Sequence, residues 1–101
     1  MQVFVRPEAL AEMREACRWY DERVPGLGTE FGRAVDAAIS AAARRPDAYP
    51  TVEGELRRVL LRRFPYSIVY GIDAGRVIVV ACFHHRRNPK ALGARRTKSR
   101  C

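Results

Sequence analysis

Acidic residues are missing from the last quarter of this 101-residue chain. After Asp73 there is no Asp or Glu, while eight Arg or Lys lie between Gly75 and Cys101. Lysine is scarce throughout, with Lys90 and Lys98 the whole supply. No apolar run approaches the roughly 20 residues that a membrane-spanning helix needs, which excludes a span of that kind. Cys17, Cys82 and Cys101 are an odd number with no C-x-x-C spacing, which argues against a disulfide framework and a structural zinc site. A Gly-rich phosphate loop, H-E-x-x-H and G-x-S-x-G are all absent, so the enzyme classes built on them are excluded. Internal repeats and low-complexity tracts are lacking too. The N-terminus "MQVFVRPEAL" enters a structured pattern at once, without the shape of a signal peptide. A soluble cytoplasmic protein is the simplest expectation, with no cofactor and no metal.

What remains is a short chain with enough apolar content to fold. Hydrophobic residues make up 48%, and the length suffices for one core but not two. The stability margin at this size is thin, so a bound partner can matter for stability as well as function. The formal net charge of +8 favours an acidic partner: nucleic acid, an acidic protein segment or an anionic site in a large assembly.

The periodicities predict β-α-α-β-β-β. Gln2–Arg6 alternates and reads as a first strand. Pro7 suits a first helical turn, and Leu10, Met13, Cys17, Tyr20 and Val24 form one helical stripe. "VPGLG" (24–28) breaks that helix. Thr29 is the expected cap of a second, whose stripe is Phe31, Val35, Ala38, Ile39 and Ala42 and whose exit is marked by Arg44, Arg45 and Pro46. Residues 46–55 read as a loop. Three β-rich segments follow, 57–63, 66–72 and 77–83, the last two joined by a tight "DAG" turn in which Gly75 takes positive φ. The fold class is α+β: a helical hairpin packed on a small, mostly antiparallel sheet. The last strand is apolar on both faces and reads as central, with the first strand as a candidate neighbour. A single domain is expected over residues 1–90, followed by a basic tail over 91–101.

Arginines are the largest chemical signal. Arg57, Arg58, Arg62 and Arg63 bracket one strand, and Arg86 and Arg87 end another. Their planar forks suit phosphate or carboxylate. The alternative is a set of edge charges that discourages sheet-to-sheet association. His84 and His85 are adjacent on a strand and therefore face opposite ways, so at most one joins any given surface. Metal-independent RNA cleavage would need a base, an acid and cations. One histidine with nearby arginines supplies part of that set, but no carboxylate is obviously paired with it: Glu53 and Glu55 are the nearest candidates, and they lie in a loop. Cys82 and His84 offer two zinc ligands without a third. Tyr66 and Tyr70 share a strand face; aromatics beside arginines could stack on bases, but at least Tyr70 reads as a packing residue, whereas Trp19 sits at the border of its helical stripe, where a partner could cover it.

The order of elements, ending in "RRVLLRRFPYSIVYGIDAGRVIVVACFHHRRNP" (57–89), resembles the RelE/ParE superfamily of type II toxin–antitoxin toxins. "RRFPYSIVY" and "FHHRRNP" look closest to the ParE, or plasmid-stabilisation, branch, and "WYDERVPGLGTEF" and "ARRPDAYP" are in keeping. The resemblance implies a toxin held inactive by a cognate antitoxin, a small acidic protein with a DNA-binding N-terminus whose flexible tail wraps the toxin into a hetero-oligomer. ParE-like members are described as blocking DNA gyrase without hydrolytic chemistry. RelE-like members cut mRNA on the ribosome with a basic set and a C-terminal tyrosine or histidine. After Tyr70 this chain has no tyrosine, and its lysines are confined to the tail. The favoured expectation is therefore a gyrase inhibitor with no catalytic residues, meeting its target through Arg86, Arg87, Lys90, Arg95 and Arg96. Antitoxin contacts are expected at Trp19, Tyr20, Arg58 and Arg62. The alternative is a ribosome-dependent mRNA endonuclease using His84 or His85 with Arg62, Arg63 and Arg86. A third is a degenerate member that only binds antitoxin.

Overall fold

The computed structural model describes residues 1–95. The chain forms β1 (Gln2–Val5), α1 (Pro7–Arg23), α2 (Leu27–Arg44), β2 (Thr51–Glu53), β3 (Leu56–Leu60), β4 (Tyr66–Asp73), β5 (Arg76–His84) and a 3-10 helix (Pro89–Ala94). The five strands make one mixed sheet in the order β1-β5-β4-β3-β2. This is the α+β arrangement expected, with β1 parallel to β5 and the remaining pairs antiparallel.

Local chemistry sets the element limits. Pro7 opens α1, where its missing N–H costs nothing, and Arg6 is extended as a residue before proline prefers. The buried face of α1 is Ala9, Met13 and Ala16. It is turned slightly from the expected stripe, leaving Leu10 and Val24 exposed. The cap of α2 also differs from expectation. Thr29 lies inside the helix, Gly26 is the N-cap with φ 90°, and the Asp21 carboxylate accepts from the amides of Gly26 (2.9 Å) and Gly28 (3.1 Å). A side chain from the preceding helix thus satisfies the free amides at the start of α2. The two helices are in close contact at Gly28, where a Cβ would lie 2.6 Å from the Cys17 carbonyl oxygen.

Two strand readings need correction. The segment read as a loop contains β2, which pairs with β3 across a turn at Gly54. The expected strand over 57–63 ends at Leu60 rather than Arg63, because Arg63 takes φ 69° and swings Phe64 into the core. Arg62 and Arg63 therefore belong to the β3–β4 connection. The β4–β5 link is a two-residue turn with both Ala74 (φ 52°) and Gly75 (φ 73°) left-handed, Asp73 facing Arg76. That conformation suits the right-handed twist of a hairpin.

One extra residue in β5 decides which side chains share a face. Val69 pairs with Ala81 and Tyr70 with Val79, which leaves Val80 as a bulge. Val77, Val79 and Cys82 point to the helices, whereas Ile78, Val80, Ala81 and Phe83 point the other way. The sheet thus has a core on each side, which corrects the expectation of one core: the 3-10 helix supplies the second layer that a chain of this length was not expected to have. Helices α1 and α2 cover the first, which holds Phe31, Phe64, Ile68 and Tyr70. The second is aliphatic apart from Phe83 and is closed by Leu92, which is fully buried. Packing continues past residue 90 through Leu92, which lies in the 3-10 helix.

Candidate functional site

The ends of β3 and β5 and the start of β4 meet at one rim. The His85 amide donates to the Pro65 carbonyl at 2.9 Å, tying the β3–β4 connection to the exit of β5. This rim collects Arg62, Arg63, Tyr66, His84, His85, Arg86 and Arg87, whereas Arg57 and Arg58 lie at the start of β3, away from it. Arg57 is used internally, donating to the Tyr49 carbonyl at 2.5 Å.

Because of the Val80 bulge, His84 faces the helices and His85 the opposite side. His84 stands edge-on to Tyr66 at 4.9 Å between ring centres, and its Nδ1 accepts from the Arg86 amide at 3.0 Å. In the neutral ring this leaves the proton on Nε2. His85 Nε2 lies 3.0 Å from the Ser67 hydroxyl, on the face of the second core. Sequence spacing correctly separates the two rings, but only the bulge determines that His84 is the one on the helix side.

Between α1 and this rim runs an open groove of about 750 Å³. Helix α1 contributes Glu12, Glu15, Trp19 and Tyr20, and the rim contributes Tyr66, Cys82, His84, Arg86 and Arg87. Trp19 is 48% exposed, and the Arg23 guanidinium lies over its ring at 3.5 Å. Tyr20 is half-buried, stacked on Phe31 at 5.3 Å and edge-on to Phe64 at 5.0 Å. Burial is the main cause that pushes the Tyr20 and Tyr66 phenols up from their ordinary range. The Cys82 thiol is pushed up to about 12, mainly by burial and then by the negative charge of Glu12. It is protonated at neutral pH and so a poor nucleophile. Among the described residues, no three or more His, Cys, Asp or Glu come together as a metal-ligand set.

The basic residues divide into held and free. Arg63 pairs with Glu30 at 3.1 Å, both largely in solvent. Arg87 pairs with Glu12 at 3.2 Å and lies over the Phe83 ring at 4.5 Å. Arg95 donates to Glu12 at 2.9 Å and to the Val80 carbonyl at 3.1 Å. Arg58, Arg62, Arg86 and Lys90 make no side-chain hydrogen bond or ion pair among the described residues. Arg96 lies outside the described residues.

Glu12 is the groove residue that sequence reasoning missed: it accepts from the Cys82 amide, Arg87 and Arg95. Glu53 and Glu55 looked like the nearest acids to the histidines, because they are closer in sequence. The signal that could have found Glu12 is its helical position one residue before Met13, beside the buried stripe.

Comparison with known proteins follows the same lines. The family model for the ParE toxin of type II toxin-antitoxin system, parDE, matches residues 3–89. No curated protein matches. A solved structure titled "Chromosomal ParDE TA system from P. aeruginosa" is similar in fold, with TM-score 0.72 at 14% identity over 83% of this chain and 95% of that one.

Proposed function

The chain belongs to the ParE toxin family of type II toxin–antitoxin systems, and from that membership we propose that it inhibits DNA gyrase by protein contact and is neutralised by a cognate antitoxin. The observation that carries the non-hydrolytic reading is the division of the candidate nuclease set. His84 and His85 lie on opposite faces of the sheet, His84 Nδ1 is taken by the Arg86 amide, and Arg63 is paired with Glu30. Of the candidate set, His84 and Arg86 line the groove beside α1, and His85, Arg62 and Arg63 do not. The free cations instead suit attachment to an acidic surface. The basic segment from Arg86 to Arg96 is the proposed target contact.

The antitoxin reading rests on charge and exposure. A net charge of +8 attracts an acidic chain, and Trp19 presents a half-exposed ring beside the groove. Proposed contacts are Trp19, the accessible edge of Tyr20, Arg62 and Arg58, in a hetero-oligomer in the cytoplasm. No helix among the described residues is long and apolar enough to cross a membrane.

A second reading has its own observation: Glu12, Glu15, His84, Arg86 and Arg87 line the same groove. In a ribosome-dependent mRNA endonuclease, His84 Nε2 would be the acid and Arg86 would hold the phosphate. Two assays separate the readings. The purified chain is titrated into gyrase supercoiling reactions and, in parallel, into a translating extract whose mRNA is mapped by primer extension. Loss of supercoiling with intact mRNA is the expected result, and it should survive His84→Ala. Codon-level mRNA cleavage with normal supercoiling would replace the first reading by the second.

A further inference from the structure

Strand β1 covers only part of the outer edge of β5. Its pairing ends at Val5 opposite Val79, because Pro7 starts α1 immediately afterwards, and the last backbone bond is from the Arg6 amide to the Val79 carbonyl at 3.0 Å. Beyond that point the Val80 carbonyl and the Cys82 amide lie on an open strand edge. Both are met by side chains. Arg95 donates to Val80, and Glu12 Oε1 accepts from the Cys82 amide at 3.1 Å. The same Glu12 carboxylate receives Arg95 on Oε1 and Arg87 on Oε2. One acid on α1 thus closes the sheet edge and ties down both ends of the segment that leaves β5. Its side chain is only 21% exposed, and that of Arg95 22%, so the bonds are partly shielded from water.

We infer that Glu12 is the positioning residue of the basic C-terminal segment: Arg87 and Arg95 anchor that segment to α1, and Arg86 and Lys90 are the cations it presents to the target. This assignment rests on the proposed gyrase contact for the presenting half and on geometry alone for the anchoring half. Arg86 and Lys90 are exposed and unpaired among the described residues, and they are separated in sequence by the turn that Asn88 caps through the Lys90 amide at 3.0 Å. A segment free at both ends would lose conformational entropy on binding, and pre-organisation removes that cost.

The test uses the full chain with two readouts, amide hydrogen exchange by residue and the midpoint of gyrase inhibition. Glu12→Gln keeps an acceptor for Cys82 but removes the charge that holds the arginines. Exchange across 86–95 should rise by about tenfold while β4 remains protected, and the inhibition midpoint should rise by a similar factor, since charge-assisted bonds are the strong ones. Arg95→Met should repeat this. Arg95→Lys should keep more of the protection than Arg95→Met, because it keeps the positive charge beside Glu12. Arg86→Ala combined with Lys90→Ala should abolish inhibition with exchange unchanged. Unaltered protection of 86–95 in both Glu12→Gln and Arg95→Met would overturn the anchoring. Loss of inhibition in Arg87→Ala or Arg95→Met with the segment still protected would make those residues target contacts and overturn the division. Failure of the unmodified chain to inhibit gyrase would sink the target reading instead, and exchange would still decide the anchoring.

Discussion

The two faces of the sheet are built from the same strands and differ in almost every other respect. The helix face carries an aromatic cluster in which Tyr20, Phe31 and Phe64 are within about 5 Å of one another, two cysteines and an open groove with charged walls. The second face carries Leu56, Val69, Ile78, Val80, Ala81 and Phe83 beneath a short 3-10 helix. One side combines packing with an open groove, and the other only seals the sheet. The difference shows that the basic C-terminal segment is part of the fold as far as Arg95, since its Leu92 closes a core before its cations meet anything.

The sharpest way to break this comparison is to hollow out each core in turn. Phe31→Ala should cost about 3–5 kcal/mol and Leu92→Ala about 2–5 kcal/mol, both read from urea unfolding midpoints. An effect below about 0.5 kcal/mol for Leu92→Ala, as expected of a surface substitution, would return residues beyond 90 to the status of a loose tail. Close behind comes Gly28→Ala, confined to the helix side. The added methyl meets the Cys17 carbonyl at 2.6 Å, and backbone cannot yield cheaply. About 1–3 kcal/mol of destabilisation is expected from such overpacking. A neutral result would mean that the hairpin opens freely at that point.

The overall architecture was legible in the sequence because each element satisfied one period. Helices α1 and α2, strands β4 and β5 and the turn between them followed from apolar spacing and a glycine. Three features were not legible, each for a physical reason. Strand β2 has three residues, too few to show alternation, and exists through pairing with β3. The limit of β3 depends on the left-handed Arg63, and arginine carries no signal for that conformation. The Val80 bulge sits in an unbroken apolar run, where one extra valine cannot be told from a paired one, yet it decides that His84 faces the groove and His85 does not. The key acid, Glu12, lay 70 residues from the Cys82 amide that it meets. Reading the site from the neighbours of the histidines could only find acids close in sequence.

The faces should also differ in their response to alkali. The thiol of Cys82 has its folded-state pKa pushed up to about 12 from an ordinary 9.0, and burial pushes Tyr20, Tyr66 and Tyr70 up as well. The residues of the second core carry no thiol or phenol. Between the two thiol values the native state binds more protons than the unfolded chain. The stabilisation is therefore complete below about pH 9 and is lost as pH rises towards 12. Unfolding midpoints should fall from pH 9 upward, with about 1–2 kcal/mol lost through Cys82 by pH 10.5. Cys82→Ala should shallow that slope. A slope unchanged by Cys82→Ala would assign the alkaline loss to Cys17 and the tyrosines, whose pKa values burial also raises.

The smallest expected effect lies at the rim, where the two faces meet. The ion pair of Arg63 with Glu30 is exposed, with side chains 73% and 46% accessible, so it resembles surface pairs worth about 0–1 kcal/mol at most. Arg63 also sits at φ 69°, where a side chain strains the backbone and glycine does not. The two substitutions should therefore move in opposite directions. Arg63→Ala loses the weak pair and keeps the strain, and should cost no more than about 0.5 kcal/mol. Arg63→Gly loses the same pair but relieves the strain, and should come out neutral or stabilising by up to about 1 kcal/mol. Equal destabilisation by both, measured on one urea series, would mean that the pair rather than the turn holds Phe64 in the aromatic core. The contrast between a rigid packed face and its cheap charged margin would then fail at that corner.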